Sequence, residues 1–456
     1  MNVETKEIKS IIRGPSLLRF FKGAAEFPAF HFHDLMNAYG DIVKCGPYFY
    51  LINHPDIAKD ILNRDQKDFS QKDFIGRRVT TVFGHGMVTS QGTLWSSQRR
   101  LLNPIFSHKN LHQLLDSTLH EIDKVLDTLP KDSDRQHTID IADLMGTLAI
   151  RTSGKILFNY DLSKWVGKIK KIVRTGTTYI AEGFPFYTPL WVPTPMHLKL
   201  KDISKQIDHI LEEMISHRYS TGLELNDMAG VLMGASDKNT SSDYERRVML
   251  DEMKTMLAGG YFPISCSLSI IWYTLGENPQ YYKSLVDEIR SKPNDYEFTP
   301  NCYKDFPITT SIIFEAMRLY PVAFSIWRKA KVDFKTHGYT IPKGKSVCIS
   351  LFNVHRHSEF WEEPNSFMPE RFMVARASKR PKHHFMPFGW GNRKCIGDHY
   401  AIMVIFLTMI RSLQKFDVKV NHEPLKVRRA ALICPKKVDA KIREIIVKEH
   451  ELNNIN

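Results

Sequence analysis

Cysteine is scarce. Six occur in 456 residues, at Cys45, Cys266, Cys302, Cys348, Cys395 and Cys434, with no paired spacing. That scatter excludes a disulfide framework and points to a reducing, cytoplasmic setting. Long hydrophobic runs are missing as well. The longest, such as "AIMVIFLTMI" (Ala401 to Ile410), fall short of the roughly 20 residues that span a bilayer. The start "MNVETKEIKSIIRG" has no apolar segment, so no signal peptide or transmembrane anchor is expected. Repeats, low-complexity tracts and linker-like stretches are also absent. Although the length would allow two or three domains at roughly 150 residues each, one domain over residues 1–456 is expected. A net charge of +13 comes from bases spread along the chain without a nucleic-acid-binding motif, which argues for an acidic protein partner and against nucleic acid.

What is present reads as mainly α with a smaller β part. "DIVKCGPYFYLIN" (Asp41 to Asn53) is strand-like, and "HPDIAKDILN" follows with a histidine-proline helix start. Amphipathic patterns such as "DISKQIDHILEEMISHR" dominate from Leu111 to Arg218, interrupted by the proline- and aromatic-rich "EGFPFYTPLWVPTPM". "GYTIPKGKSVCISLF" (Gly338 to Phe352) predicts a hairpin turning at Pro342, Lys343 and Gly344.

The one cysteine in a chemically suggestive setting is Cys395, within "FMPFGWGNRKCIGDHYA". It sits just before a helical run, where the helix dipole, free N–H groups, Arg393 and Lys394 favour thiolate. Gly389, Gly391 and Gly397 allow backbone or a flat ligand to come close. On residues alone three readings stand: a structural cysteine, which composition favours, a nucleophile with His399 as base, or a metal ligand. Zinc would need companion ligands nearby, whereas a single thiolate suits haem iron.

"FGWGNRKCIG", with Phe388, Gly391, Arg393, Cys395 and Gly397, resembles the haem-binding loop of the cytochrome P450 family of haem-thiolate monooxygenases. Three further segments resemble the family's signatures in order. They are "EAMR" with Glu315 and Arg318, "FMPERF" with Arg371, and "GTLWSSQRRLLNPIF" with Trp95 and Arg99. The resemblance implies Cys395 as axial ligand of haem b, with Trp95, Arg99, Arg328 and Arg393 on the propionates. It also implies a Glu315, Arg318 and Arg371 clamp in which two guanidiniums share one carboxylate. Because it spans nearly the whole chain, it further implies the family's single-domain fold in a soluble, bacterial-type form, with haem between the central long helix and the cysteine-loop helix. No fused reductase fits, so electrons would come from a separate acidic ferredoxin or flavodoxin with its reductase, and the protein is expected to be a monomer.

The resemblance fails at one place. The family's central helix carries Ala/Gly-Gly-x-Asp/Glu-Thr, whose acid and alcohol relay protons; here the stretch is "LAGGYFPISC". Aligning Ala258 and Gly259 with the small pair puts Tyr261 and Phe262 at the acid and alcohol positions. Pro263 cannot bond the carbonyl of Gly259, so a kink is expected there, with Gly260 easing it. Gly259, Gly260, Tyr261, Phe262 and Pro263 are therefore the candidate catalytic stretch, with Ser265 or a water as an alternative relay. The substrate pocket implied by the family includes Phe74, Val88, Phe184, Val322, Ala323, Phe324 and Ala431, a mainly apolar set suited to a lipophilic small molecule of secondary metabolism, oxidised with O2. Two other readings stay open: a peroxide-using or isomerising haem-thiolate enzyme, and a non-catalytic haem sensor. Arg99, Arg100, Lys382, Arg393 and Lys394 are expected to form a basic docking face.

Overall fold

The computed structural model describes residues 12–445 except 17–18, 21–22, 24–26, 48, 72, 182–191, 223–226, 236–242, 294–295, 300–301 and 429. Its bulk is helical, and its centre is the helix Asp243–Glu277. From Thr255 onward that helix is apolar nearly all round, as a helix surrounded by protein must be. It is long and apolar enough to cross a membrane, but 78% of its most apolar window is buried inside the protein. It crosses Ile141–Phe158 closely because Gly260 has no side chain: a Cβ there would lie 2.7 Å from Leu157. The helix is continuous through Pro263, the position at which a kink is expected. Proline nevertheless leaves the Gly259 carbonyl without its usual helical donor.

The smaller β part packs beside the helices. Five strands form a mixed sheet in the order Ile42–Cys45, Phe49–Ile52, Ser346–Ser350, Ser325–Ala330, Phe69–Ser70. The first two pair antiparallel, Ile42 opposite Ile52, and Phe49–Ile52 runs parallel to Ser346–Ser350. This corrects the hairpin read at Pro342 to Gly344. Tyr339–Ile341 pairs with Phe334–Thr336, whereas Ser346–Ser350 enters the five-stranded sheet. The reason is burial: Val347, Cys348 and Ile349 are fully buried, which suits an interior strand flanked on both sides. Gly344, at φ +82°, makes the turn between the two sheets, and its N–H donates to Ala330 at 2.8 Å. A third sheet joins His137–Asp140, Asp439–Glu444 and Phe416–Val420.

Two elements fix the cysteine loop between helix and sheet. Helix Pro55–Asn63 is capped by His54, whose Nδ1 accepts from the Asp56 N–H. Its last turn lies against Gly391, where a Cβ would come within 2.5 Å of the Leu62 carbonyl. After the loop comes helix Asp398–Lys415, which carries the apolar run "AIMVIFLTMI" into the core.

Candidate active site

The loop before Asp398–Lys415 is closed by the Cys395 N–H donating to the Phe388 carbonyl at 2.9 Å, with Gly389 and Gly391 at φ +75° and +73°. Only glycine takes those angles without strain. The Cys395 sulfur opens onto a cavity of about 440 Å³. Its thiol is pushed up to about 11 by burial, which outweighs the Gly397 N–H and the Arg99 and Lys394 charges that favour thiolate. The helix-terminus argument was thus too small on its own. A bound cation is what would ionise this sulfur, because a metal deprotonates a coordinating thiol outright.

Opposite the thiol stands the central helix, with Gly259, Gly260, Pro263, Ile264 and Ser267 facing the cavity. A Cβ on Gly259 would meet nothing within 4 Å, so the missing side chain leaves free space in the cavity that Cys395 also lines. Tyr261 and Phe262 do not face this cavity. Their side chains line a separate one of about 800 Å³, together with Ser265 and Cys266. The alignment was one residue out of phase: Gly259 and Gly260 are the small pair at the cavity wall. Phe262 then occupies the acid position and Pro263 the alcohol position. Burial also pushes the Tyr261 hydroxyl far up, so it stays protonated. Ser265 is no relay toward this cavity either; its hydroxyl donates to the Phe262 carbonyl at 2.9 Å.

Cations gather along one side of the same cavity. Trp95, Arg99, Arg328 and Arg393 all line it. The Arg393 guanidinium lies 4.4 Å from the Trp95 ring centroid, donates to the Ser90 carbonyl at 2.8 Å and to Gln71 at 3.0 Å. Arg99 donates to the Lys394 carbonyl at 2.8 Å, which ties its helix Gly92–Leu102 to the cysteine loop. One residue the sequence did not reveal organises the other two: Asp65, 2% exposed at its side chain, lies 3.1 Å from Arg328 and 3.7 Å from Arg393. Burial lowers Arg393 to about 10, against the pull of Asp65, so it remains charged at neutral pH. The Arg328 Nε is buried without a hydrogen-bond partner among the described residues, and the Arg393 Nε has only the Asp65 carboxylate at 3.7 Å. Such donors fit a flat group that brings its own carboxylates.

Away from the cavity, Glu315 and Arg318 on helix Pro307–Leu319 form a bidentate pair at 2.7 Å and 2.7 Å, both fully buried. Arg371 approaches the same carboxylate at 3.4 Å, and the Met368 N–H donates to it at 2.9 Å. Arg318 also donates to the carbonyls of His355, Pro364 and Ser366. The cluster pins the segment leading to the cysteine loop, with one carboxylate shared by two guanidiniums.

The substrate-pocket residues divide. Val88, Val322 and Ala323 line the thiol cavity. Phe324 does not; it is buried against Phe27 and Phe32 in the core beside the sheet. Ala431 packs on the main core rather than lining the cavity. Phe184 and the side chain of Phe74 lie outside the described residues. The basic face is reduced: Arg393 and half-buried Arg99 turn inward, while Arg100, Lys382 and Lys394 stay exposed.

Comparison with known proteins agrees with this geometry. The cytochrome P450 family model matches residues 14–440. Cytochrome P450 3A25 of Mus musculus is 27% identical over 409 residues, covering 85% of this chain and 80% of the relative. Cytochrome P450 97B2, chloroplastic, of Glycine max is 27% identical over 458 residues, covering 87% and 79%. Cytochrome P450 3A41 of Mus musculus is 25% identical over 447 residues, covering 92% and 87%.

Proposed function

The chain belongs to the cytochrome P450 family, and from that premise we propose that it oxidises a lipophilic small molecule of secondary metabolism as a single-domain enzyme. Haem b is the family's cofactor, and the activity is that of a monooxygenase using O2 and electrons from redox partners. The observation that carries the site assignment is a lone thiol facing an apolar cavity with three guanidiniums along one side. Cys395 would hold the haem iron through its sulfur, and Trp95, Arg99, Arg328 and Arg393 would hold the propionates, with Asp65 orienting the last two. When bound, haem iron supplies the activation of O2, and the thiolate pushes electron density toward O–O cleavage.

The chain's own residues supply the rest. The apolar wall of Val322, Ala323 and Ile264 excludes water and holds the substrate body. Gly259 leaves room for it, and the carbonyl released by Pro263 accepts a hydrogen bond from a water or a substrate hydroxyl. Because Phe262 and Pro263 bear no transferable proton, the relay runs through that hydroxyl or water, with Ser267 among the hydroxyl side chains on the cavity wall. The same two residues support a second reading, a peroxide-driven or isomerising enzyme, since either chemistry dispenses with the relay.

The redox partner is a separate acidic ferredoxin or flavodoxin that meets Arg100, Lys382 and Lys394. The test is a titration of the ferric protein with lipophilic compounds, followed by product analysis with the ligand that shifts the Soret band. Product with reductant and O2 supports the monooxygenase; product with peroxide alone would favour the second reading, and no shift with any compound would remove the lipophilic substrate class.

A further inference from the structure

Histidines crowd one surface outside the thiol cavity. The rings of His54 and His357 are 5.2 Å apart, those of His54 and His337 5.6 Å, and those of His383 and His384 4.6 Å. Among them stand Asp41 and Asp56. Two triads each bring one ligand atom per residue within 4.8 Å of the others: Asp41, His54, His357 and Asp56, His383, His384.

Tautomer chemistry separates the two. His54 Nδ1 accepts the Asp56 N–H at 3.2 Å, so the neutral ring carries its proton on Nε2. Neither nitrogen can bind a metal unless the helix cap is given up, which costs about 1 kcal/mol. In the second triad His383 Nε2 lies 2.5 Å from Asp56 Oδ1. Moving one proton to Nδ1 frees the Nε2 lone pair for a cation, which then takes the proton's place beside the carboxylate. The His384 ring is held between Phe360 at 4.4 Å and His383.

We propose that Asp56, His383 and His384 bind one divalent transition-metal ion of the zinc class, with water completing its coordination. Two imidazoles and a carboxylate suit zinc, whereas magnesium and calcium prefer all-oxygen sites. Zinc bonds of about 2.0–2.2 Å place tetrahedral ligand atoms roughly 3.3 Å apart, so the triad closes with side-chain adjustments alone. The positive end of helix Pro55–Asn63 opposes a cation there, and Asp56 in its first turn offsets it. The ion would join the start of that helix to Lys382–His384, the segment that runs into the cysteine loop, while the far end of the same helix touches Gly391. It therefore clamps two supports of the loop, and its binding does not depend on the substrate.

Equilibrium dialysis of the tag-free, haem-loaded protein against Zn²⁺, with metal counted by atomic emission, tests this. One zinc per haem is expected, with affinity falling at least tenfold in His383→Gln and in Asp56→Asn but unchanged in His357→Gln. Zinc should also raise the Tm of the wild type, and of His357→Gln, progressively with its concentration, and magnesium should not. No saturable zinc, or zinc retained at full affinity in His383→Gln, would overturn the site; loss in His357→Gln alone would assign the ion to the other triad and overturn it equally.

Discussion

At the scale of single residues, Asp65 and Glu252 carry consequences that their place in the chain hides. Asp65 holds Arg328 and Arg393 where they border the thiol cavity. Asp65→Asn should leave the haem bound but faster to leave, by about tenfold as for other outer-shell partners, measured by transfer to an acceptor globin. An unchanged rate would mean the arginines need no orienting. Glu252 lies buried on the central helix, its Oε2 accepting the Met87 N–H at 2.8 Å and its Oε1 without a hydrogen-bond partner among the described residues. Burial, with the nearby Asp251 charge, raises its carboxyl to about 7 against the pull of that N–H. Between the ordinary glutamate range and pH 7 the folded state binds more protons than the unfolded one, so stability falls as pH rises through that window. Glu252→Gln keeps an acceptor for Met87 and should raise Tm at pH 8 while changing it little at pH 5. Cys395 was legible because glycines and bases surround it within one short stretch. Asp65 was not, since a turn aspartate gives no local sign that two distant arginines will converge on it.

The central helix shows what an element adds to a motif. Each residue turns the face of an α-helix by about 100°, so an alignment slipped by one moves a side chain from one cavity to the next. That slip placed Tyr261 and Phe262 at the thiol; the helix instead presents Gly259, Gly260 and Pro263. The glycine pair was visible in sequence, but its rotational phase is set by packing against Ile141–Phe158, which no local pattern encodes. Two predictions belong here. Gly260→Ala puts a methyl 2.7 Å from Leu157 and should cost about 1–3 kcal/mol, read as a lowered denaturant midpoint. Pro263→Thr puts an alcohol on the wall of the thiol cavity in the corrected register and should increase the share of reductant that ends in product. Unaltered coupling would show that a missing alcohol at this position is not what limits proton delivery.

Across the whole molecule, the fully buried Glu315 cluster joins helix Pro307–Leu319 to the Met368 and Arg371 segment ahead of the cysteine loop. Removing its carboxylate strands two guanidiniums in the interior, and Glu315→Ala should destabilise by about 3–5 kcal/mol, seen as lost haem incorporation and a lower Tm. The division into helical bulk and smaller sheet was legible in sequence because hydrophobic periodicity is local. The cluster was legible only through the family resemblance, since the i, i+3 spacing of Glu315 and Arg318 alone reads as a surface pair and Arg371 lies far along the chain. Strand partnership was not: Tyr339–Ile341 and Ser346–Ser350 are neighbours in the chain yet serve different sheets. What unites cavity, cations and loop is the assignment of Cys395 as the haem thiolate, and the ferrous–CO spectrum of wild type and Cys395→His tests it most directly. A strongly red-shifted Soret band in the wild type, moving to the histidine-ligated position in the variant, is the predicted result; a wild-type band without that shift, or one indifferent to the substitution, would contradict the account.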